Sequence, residues 1–351
     1  MEVLVTGGGG FLGQAICARL SAASSESDSR ATRGDSDPAG HRVRSLARGW
    51  YPALAALGVR QHVADVRDRD AVAAAVAGCQ AVVHCAAKAG FWGPDADFEA
   101  VNVGGTRNVI AACLAHDVPR LVYTSSPSVV HDGRDLDGVD ESAPYATRFR
   151  AAYPRTKAAA ERMVLAASSA RLATVALRPH LIWGPGDPHF LPRLVARARA
   201  GQLRLLRSAD KRVDTVYVDN AAQAHLLALA RLAPGSPVAG RAYFISQGDP
   251  RSHAETLNGW LAAAGQPPVV GPRVPVGPVR ALGAALEAAY RLGGVRTEPP
   301  LTRFLVEQLS TAHWFDISAA RRDLGYEPEV STEEGLRRLA AHLAAQPSRR
   351  R

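Results

Sequence analysis

Tyr153 and Lys157 stand one helical turn apart in the segment Tyr153-Pro154-Arg155-Thr156-Lys157. A helix beginning here carries the phenol and the ammonium on one face. Pro154 suits a helix start, because its missing N–H would go unpaired there anyway. The chemistry open to this pair is proton transfer. A free tyrosine has a pKa of about 10, and a nearby cation stabilises the phenolate and lowers that value, making a usable acid or base. Of the 42 basic residues only Lys88, Lys157 and Lys211 are lysine, so an ammonium at 157 differs from the guanidinium used elsewhere for charge. Leu121-Val122-Tyr123-Thr124-Ser125-Ser126 offers a third member. A buried strand that ends in hydroxyls points them into the crevice where open α/β sheets bind ligands. Ser126 could there polarise a carbonyl, with Ser125 in reserve. Each feature also has a bland reading: Y-x-x-x-K is a frequent accident, and a serine after a strand often caps a turn.

Proton transfer needs a reaction to serve, and the N-terminus indicates one. Thr6-Gly7-Gly8-Gly9-Gly10-Phe11-Leu12-Gly13 joins an apolar run, Met1–Thr6, to a segment of helical periodicity, Phe11–Leu20. Gly7, Gly10 and Gly13 give the spacing G-x-x-G-x-x-G. Glycine lets the backbone turn tightly and approach a pyrophosphate, while a helix N-terminus offers free N–H groups. A glycine cluster alone could be only a tight turn; between a buried strand and a helix it reads as a dinucleotide site. Lys157 could then also hold the nicotinamide ribose. At the end of the second strand, Val43-Arg44-Ser45-Leu46-Ala47-Arg48 has no carboxylate for a ribose 2′-hydroxyl. Arg48 suits a 2′-phosphate instead, which favours NADPH (NADP+) and leaves NAD(H) as the alternative. Asp65 and Val66, after the third strand, stand where they could reach the adenine.

The elements needed to position these groups alternate along the chain. Strand signals fall at Arg42–Ala47, Val59–Val63, Ala81–Cys85, Leu121–Ser125 and Ala173–Arg178. Helical signals lie between them near Tyr51–Leu57, Arg69–Val76, Asp97–His116 and Pro154–Ser168. Strands apolar on both faces, alternating with helices, predict an α/β fold with a doubly wound parallel Rossmann sheet. Residues 1–178 are expected to form that core, with a polar, Ser/Asp-rich disordered insertion at 22–41. Residues 179–346 are expected to form a smaller substrate lobe, with segments near 212–246 returning to the core and 347–351 as a disordered basic tail. Val279, Leu282, Leu286, Ala289 and Tyr290 recur at helical spacing, which predicts an apolar face used for core packing.

The net charge of +9 is diffuse and carries no aromatic-basic module, so no nucleic-acid partner is expected. No apolar run reaches the length of a membrane span, and the expected location is cytoplasmic. Cys17, Cys79, Cys85 and Cys113 lack metal-ligand spacing and read as buried free thiols; no metal is expected.

With these elements in place, the chain resembles the extended short-chain dehydrogenase/reductases over nearly its whole length. TGGGGFLG, YTSSPSVV, YPRTK, LRPHLIWGPGD and VDTVYVDNAAQAH carry that resemblance. It implies that Asn102, in VNVGGTRNV, supports the active-site helix and a proton path, and that Pro179 lines the nicotinamide. The implied catalytic set is Ser126, Tyr153, Lys157 and Asn102. The implied cofactor contacts are Gly7, Gly10, Phe11, Leu12, Gly13, Arg48, Asp65, Val66, Ala86, Tyr153, Lys157 and Pro179. Within the family, the chain is similar to the 3β-hydroxysteroid dehydrogenase-like branch. More narrowly, AAKAGFWG, TSSPSVVHDGRD, RAYFISQGDP and EPPLTRFLVEQLSTAHWFD resemble bacterial 2-alkyl-3-oxoalkanoate reductases of long-chain olefin biosynthesis.

The implied reaction is NADPH-dependent reduction of the 3-keto group of an apolar ketone substrate, a 2-alkyl-3-oxoalkanoate, to a 2-alkyl-3-hydroxyalkanoate. The alternative is an NAD-dependent 3β-hydroxysteroid or sterol-4α-carboxylate 3-dehydrogenase. A sugar-nucleotide epimerase and a non-catalytic dinucleotide sensor stand behind these. Partners in the same reading are a second copy in a homodimer and other enzymes of an olefin-synthesis assembly, with peripheral membrane contact as a further option. Lys88 and His180 are guesses for the substrate carboxylate.

Overall fold

The computed structural model describes residues 1–31, 41–188 and 190–345, those of 23–31 by their backbone alone. The segments β1 (Glu2–Thr6), β2 (Arg42–Ala47), β3 (Arg60–Val63), β4 (Ala81–His84) and β5 (Arg120–Thr124) form parallel strands, β2 and β3 of mixed polarity. β6 (Leu136–Val139) lies at the edge of a separate sheet, β7 (Ala173–Pro179) returns to the main one, and after the short β8 (Ile182–Trp183), β9 (Arg212–Val213) and β10 (Val216–Tyr217), β11 (Arg241–Ile245) completes it. The order β11-β7-β5-β4-β1-β2-β3 is parallel throughout. Chain order reverses at β1, so the carboxyl ends of β1 and β4 flank the crevice in which such sheets bind ligands.

Each strand sends alternate side chains to opposite cores. Val3 and Val5 of β1 join Ala81 and Val83 of β4 on one face, beneath α1 (Phe11–Ala31). Leu4 and Val82 join the other face. After the single turn α2 (Pro52–Ala56), that second face is covered by α3 (Arg69–Val76). The short α4 (Asp95–Phe98) runs through a π-turn at Glu99–Gly104 into α5 (Gly105–Ala115), followed by α6 (Ala152–Ala166). With no water left for the backbone on either face, continuous Val/Leu/Ile runs are what such strands require.

Past β7 come α7 (Phe190–Arg199), α8 (Val218–Arg231) and α9 (His253–Ala263), the last preceded by β12 (Arg251–Ser252). Then follow α10 (Val276–Leu292), α11 (Arg303–Gln308), β13 (His313–Phe315) and α12 (Thr332–Ala345). Among the described residues, no helix is long and apolar enough to cross a membrane.

Several expectations change. Helix α1 continues to Ala31 instead of ending at Leu20. Residues 32–40 of the expected insertion, and the tail at 347–351, lie outside the described residues. Of the segments expected to return to the core, β11 joins the main sheet and α8 packs beneath it, but Arg212–Val218 does not join. Its strands are two residues long, too short for periodicity to show, and β9 enters a separate sheet of order β12-β9-β13-β6. That sheet pairs β6, from the first half of the chain, with β13 from the last, so contacts cross the boundary expected at 178.

The apolar stripe on α10 is not core: Leu282 is 55% exposed, and the buried residues of that helix are Gly283 and Glu287. A Cβ at Gly283 would lie 3.2 Å from the Thr302 carbonyl carbon, and Glu287 accepts from the Arg303 backbone N–H at 2.7 Å and its Nε–H at 2.9 Å. A polar clamp on the start of α11 therefore seats the helix.

Candidate active site

The glycine turn sits at the carboxyl end of β1 with no room to spare. Gly7 has φ +72°, and a Cβ there would come within 2.8 Å of the Ala86 nitrogen at the end of β4. At Gly13 a Cβ would lie 2.1 Å from the Gly7 carbonyl oxygen. That oxygen accepts the Gly10 N–H at 2.8 Å, closing the turn whose next residue starts α1. Only glycine permits such close approaches, and the turn brings the N-terminus of α1 to the switch point, where a pyrophosphate is held. Phe11 and Leu12 supply the first helical N–H groups, and Leu12 also roots the helix in the core.

Two neighbours of the turn escaped the sequence reading. Ser45 lies against Gly8, and the ring of Tyr51 covers Gly9. Both come from the second strand and the loop after it, a contact between segments that linear spacing does not reveal.

Arg48 is exposed just past β2. Its charge reaches Asp65 beyond β3, whose carboxyl is held low chiefly by its hydrogen bond with Arg67 and in part by Arg48. Asp65 and Arg67 form an ion pair at 2.9 Å. Val66 packs against α5: a Cβ at Gly105 would meet its side chain at 2.8 Å. Pro179 is buried at the end of β7.

Tyr153 lies in the first turn of α6 and Lys157 one turn on. Of the two serines after β5, Ser126 is the one that influences the phenol, and its hydroxyl bonds that of Ser128 at 2.9 Å. Ser126 also caps the short 3-10 turn Pro127–Val129, accepting the Ser128 N–H at 3.2 Å. Ser125 is buried, and its hydroxyl has no partner. Burial pushes the Tyr153 phenol above its ordinary value, and the Ser126 hydrogen bond pulls it part of the way back.

The Lys157 ammonium donates to the Thr124 carbonyl at 2.6 Å and lies 4.2 Å from the centre of the Tyr123 ring. Burial pulls it down to about 7, against the opposing influence of Glu161 and Cys85. Glu161, one turn further along α6, is fully buried and bound by Arg178 at 2.6 Å and the Tyr145 hydroxyl at 2.7 Å. The spacing Tyr153, Lys157, Glu161 repeats every four residues, and that signal could have led to Glu161.

Asn102, 1% exposed within the π-turn, ties two segments together. Its side chain accepts the Lys88 N–H at 2.7 Å, donates to the Lys88 carbonyl at 3.2 Å, and donates to the Thr156 hydroxyl at 2.9 Å. It thus holds the loop after β4 against the residue beside Lys157. Behind it runs a second chain of bonds. The Thr106 hydroxyl donates to the Asn102 carbonyl at 2.6 Å, His84 Nε2 meets Thr106 at 3.0 Å, and His84 Nδ1 meets the Thr6 hydroxyl at 2.6 Å. Burial holds His84 down to about 3, so the ring is neutral. Glycine turn, β4 and π-turn are thereby linked through one imidazole.

Neither guess for a carboxylate partner is favoured. Lys88 is 3.6 Å from Asp97, and His180 is buried against His313 and Phe315. The cysteines are free, and burial pushes Cys17, Cys79, Cys85 and Cys113 up to about 12, 11, 11 and 12.

A glycine cradle at the switch point, with a phenol, an ammonium and a serine at the same sheet edge, defines a class: the Rossmann-type short-chain dehydrogenases and reductases. The profile of the 3-beta hydroxysteroid dehydrogenase/isomerase family matches residues 4–265, and the chain belongs to that family. It is an NAD(P)-dependent oxidoreductase. It is 51% identical to the 2-alkyl-3-oxoalkanoate reductase of Stenotrophomonas maltophilia (strain K279a), over 98% of this chain and 100% of that one. It is 49% identical to the 2-alkyl-3-oxoalkanoate reductase of Shewanella oneidensis, over 97% of this chain and 86% of that one. Among solved structures, the UDP-glucose 4-epimerase of Thermus thermophilus in complex with NAD superposes with a TM-score of 0.69 at 25% identity, covering 99% of this chain and 100% of that one.

Proposed function

We propose that the chain reduces the 3-keto group of a 2-alkyl-3-oxoalkanoate to a 2-alkyl-3-hydroxyalkanoate with NADPH. The observation that carries the reading is a tight glycine cradle after β1 with Ser126, Tyr153 and Lys157 at the same sheet edge, in a chain 51% identical end to end to a reductase of that name.

The residues present fit a dinucleotide: a Cβ at Gly7, Gly8, Gly9 or Gly13 would clash, and Arg48, exposed just past β2, would supply a cation for a 2′-phosphate. The bound cofactor supplies hydride for the keto carbon. Ser126 hydrogen-bonds the carbonyl oxygen and polarises it. Tyr153, whose phenol holds its proton well past neutrality, donates that proton to the oxygen as it becomes an alcohol. Lys157, titrating near 7, can hold a ribose hydroxyl and return a proton toward the phenolate at neutral pH. Asn102 keeps Thr156, and with it the turn of α6 that bears Lys157, in place.

The second reading is a 3β-hydroxysteroid dehydrogenase using NAD, favoured by the family profile. The two separate in one set of assays: oxidation of NADPH and of NADH with a 2-alkyl-3-oxo acid, beside reduction of NAD by a 3β-hydroxysteroid. Ketoacid-dependent oxidation, faster with NADPH, is expected. Steroid turnover without ketoacid turnover would replace the first reading with the second.

A further inference from the structure

A crevice of about 440 Å³ opens beside the first turn of α6, the turn that carries Tyr153. Its walls include Phe91, Trp92, Phe98, Tyr290, Arg291 and Val295. Phe91 stands edge-on to Tyr153 with ring centres 6.4 Å apart, so the aromatic wall starts at the candidate acid. Trp92 closes the far side. Its indole N–H donates to the Val295 carbonyl at 3.1 Å, Tyr290 meets it edge-on at 6.2 Å, and the Arg291 guanidinium lies 5.4 Å from its ring centre. One side chain from the loop after β4 thus clasps the C-terminal end of α10 across the crevice.

The guanidinium groups around the crevice do not make it a plain anion site. Arg150 is paired with Glu307, Arg155 with Glu99 at 3.0 Å and Asp95 at 3.4 Å, and Arg291 with the Trp92 face, while Arg296 on the same lining is exposed. With the first three heads engaged, their stems add apolar surface. Aromatic rings and stems suit hydrocarbon, and Phe91 joins the crevice wall to Tyr153.

Resting on the reading above, we infer that this crevice takes the 2-alkyl branch of the substrate and that Trp92 sets how long a branch is recognised. The chemical class is a saturated alkyl chain on the carbon next to the reacting carbonyl. Trp92 is a specificity-determining residue here, not a catalytic one.

The test uses binding, so it does not depend on turnover. Affinities of 2-alkyl-3-hydroxy acids with butyl and dodecyl branches would be measured by calorimetry on the full chain with NADP+, for the native protein and for Trp92→Ala. A fully buried methylene is worth about fourfold in affinity. The native protein should therefore prefer dodecyl over butyl by about tenfold or more, and Trp92→Ala should hold that preference below about threefold with butyl affinity unchanged. An unchanged preference in the variant overturns the inference. So does equal weakening of both acids, which would place Trp92 at the carboxylate end. Tyr290→Ala removes the ring that braces Trp92 and should flatten the preference in the same direction, so the question stays decidable if Trp92→Ala fails to fold. The reaction is judged separately: a branch-length preference that collapses in the variant, in a chain that reduces no 3-oxo acid, would keep the crevice and reject the proposed function.

Discussion

At the scale of single residues, the proposed chemistry rests on where two charges point. Tyr153 and Lys157 were legible because a helix repeats every 3.6 residues and lysine is scarce in this chain. The direction of the ammonium was not legible, because the Thr124 carbonyl that receives it comes from a strand some thirty residues earlier. Spacing along one helix gives proximity, whereas aim depends on what the fold places opposite. The same holds for Arg48, whose position past β2 was readable but whose neighbour Asp65 arrives from β3. If Arg48 holds a 2′-phosphate, Arg48→Ala should raise the KM for NADPH by about tenfold, the scale of a charge-assisted contact of about 1.5 kcal/mol, and leave that for NADH unchanged. Steady-state kinetics with each cofactor would show it; equal changes for both would mean the guanidinium reads no phosphate.

At the scale of elements, strands buried on both faces, such as β4 and β7, announced themselves as apolar runs, and β2, mixed in sequence, was placed to the residue. Elements of two or three residues, such as β9, β12 and β13, left no periodic trace, because pairing across the fold alone defines them. Helix α10 misled for another reason: its seat is Glu287 gripping Arg303, and a polar clamp is invisible to a hydrophobic pattern. The glycine turn was legible both as motif and as geometry. Gly13→Ala would put a methyl group 2.1 Å from the Gly7 oxygen, a contact that backbone must move to relieve. Dinucleotide affinity, read by fluorescence titration, should fall by at least about a hundredfold in that variant, on the order of 3 kcal/mol. Near-native affinity would show that the turn does not need its tight packing.

Across the whole molecule, buried imidazoles link stability to pH. Burial holds His84, His225 and His313 down to about 3, 4 and 3, against about 6.5 in an unfolded chain. Below about pH 6.5 the unfolded chain binds protons that these rings refuse, so their contribution is complete above that pH and is lost as the pH falls through it. Each accounts for about 1.4 kcal/mol per pH unit. Asp214, pushed up to about 6 by burial, opposes one of them between about pH 6 and 4, because there the folded form takes the extra proton. The melting temperature should drop most steeply below pH 6, by calorimetry; a flat profile from pH 6.5 down to pH 5 would mean the rings are not buried as described.

The central claim is that one phenol hands its proton to the reacting oxygen. Its most direct test is a single-turnover mix of Tyr153→Phe, preloaded with NADPH, with a 2-alkyl-3-oxo acid, following nicotinamide absorbance. NADPH should bind with native affinity while its oxidation slows by about a hundredfold or more. Oxidation at the native rate in that variant would contradict the claim.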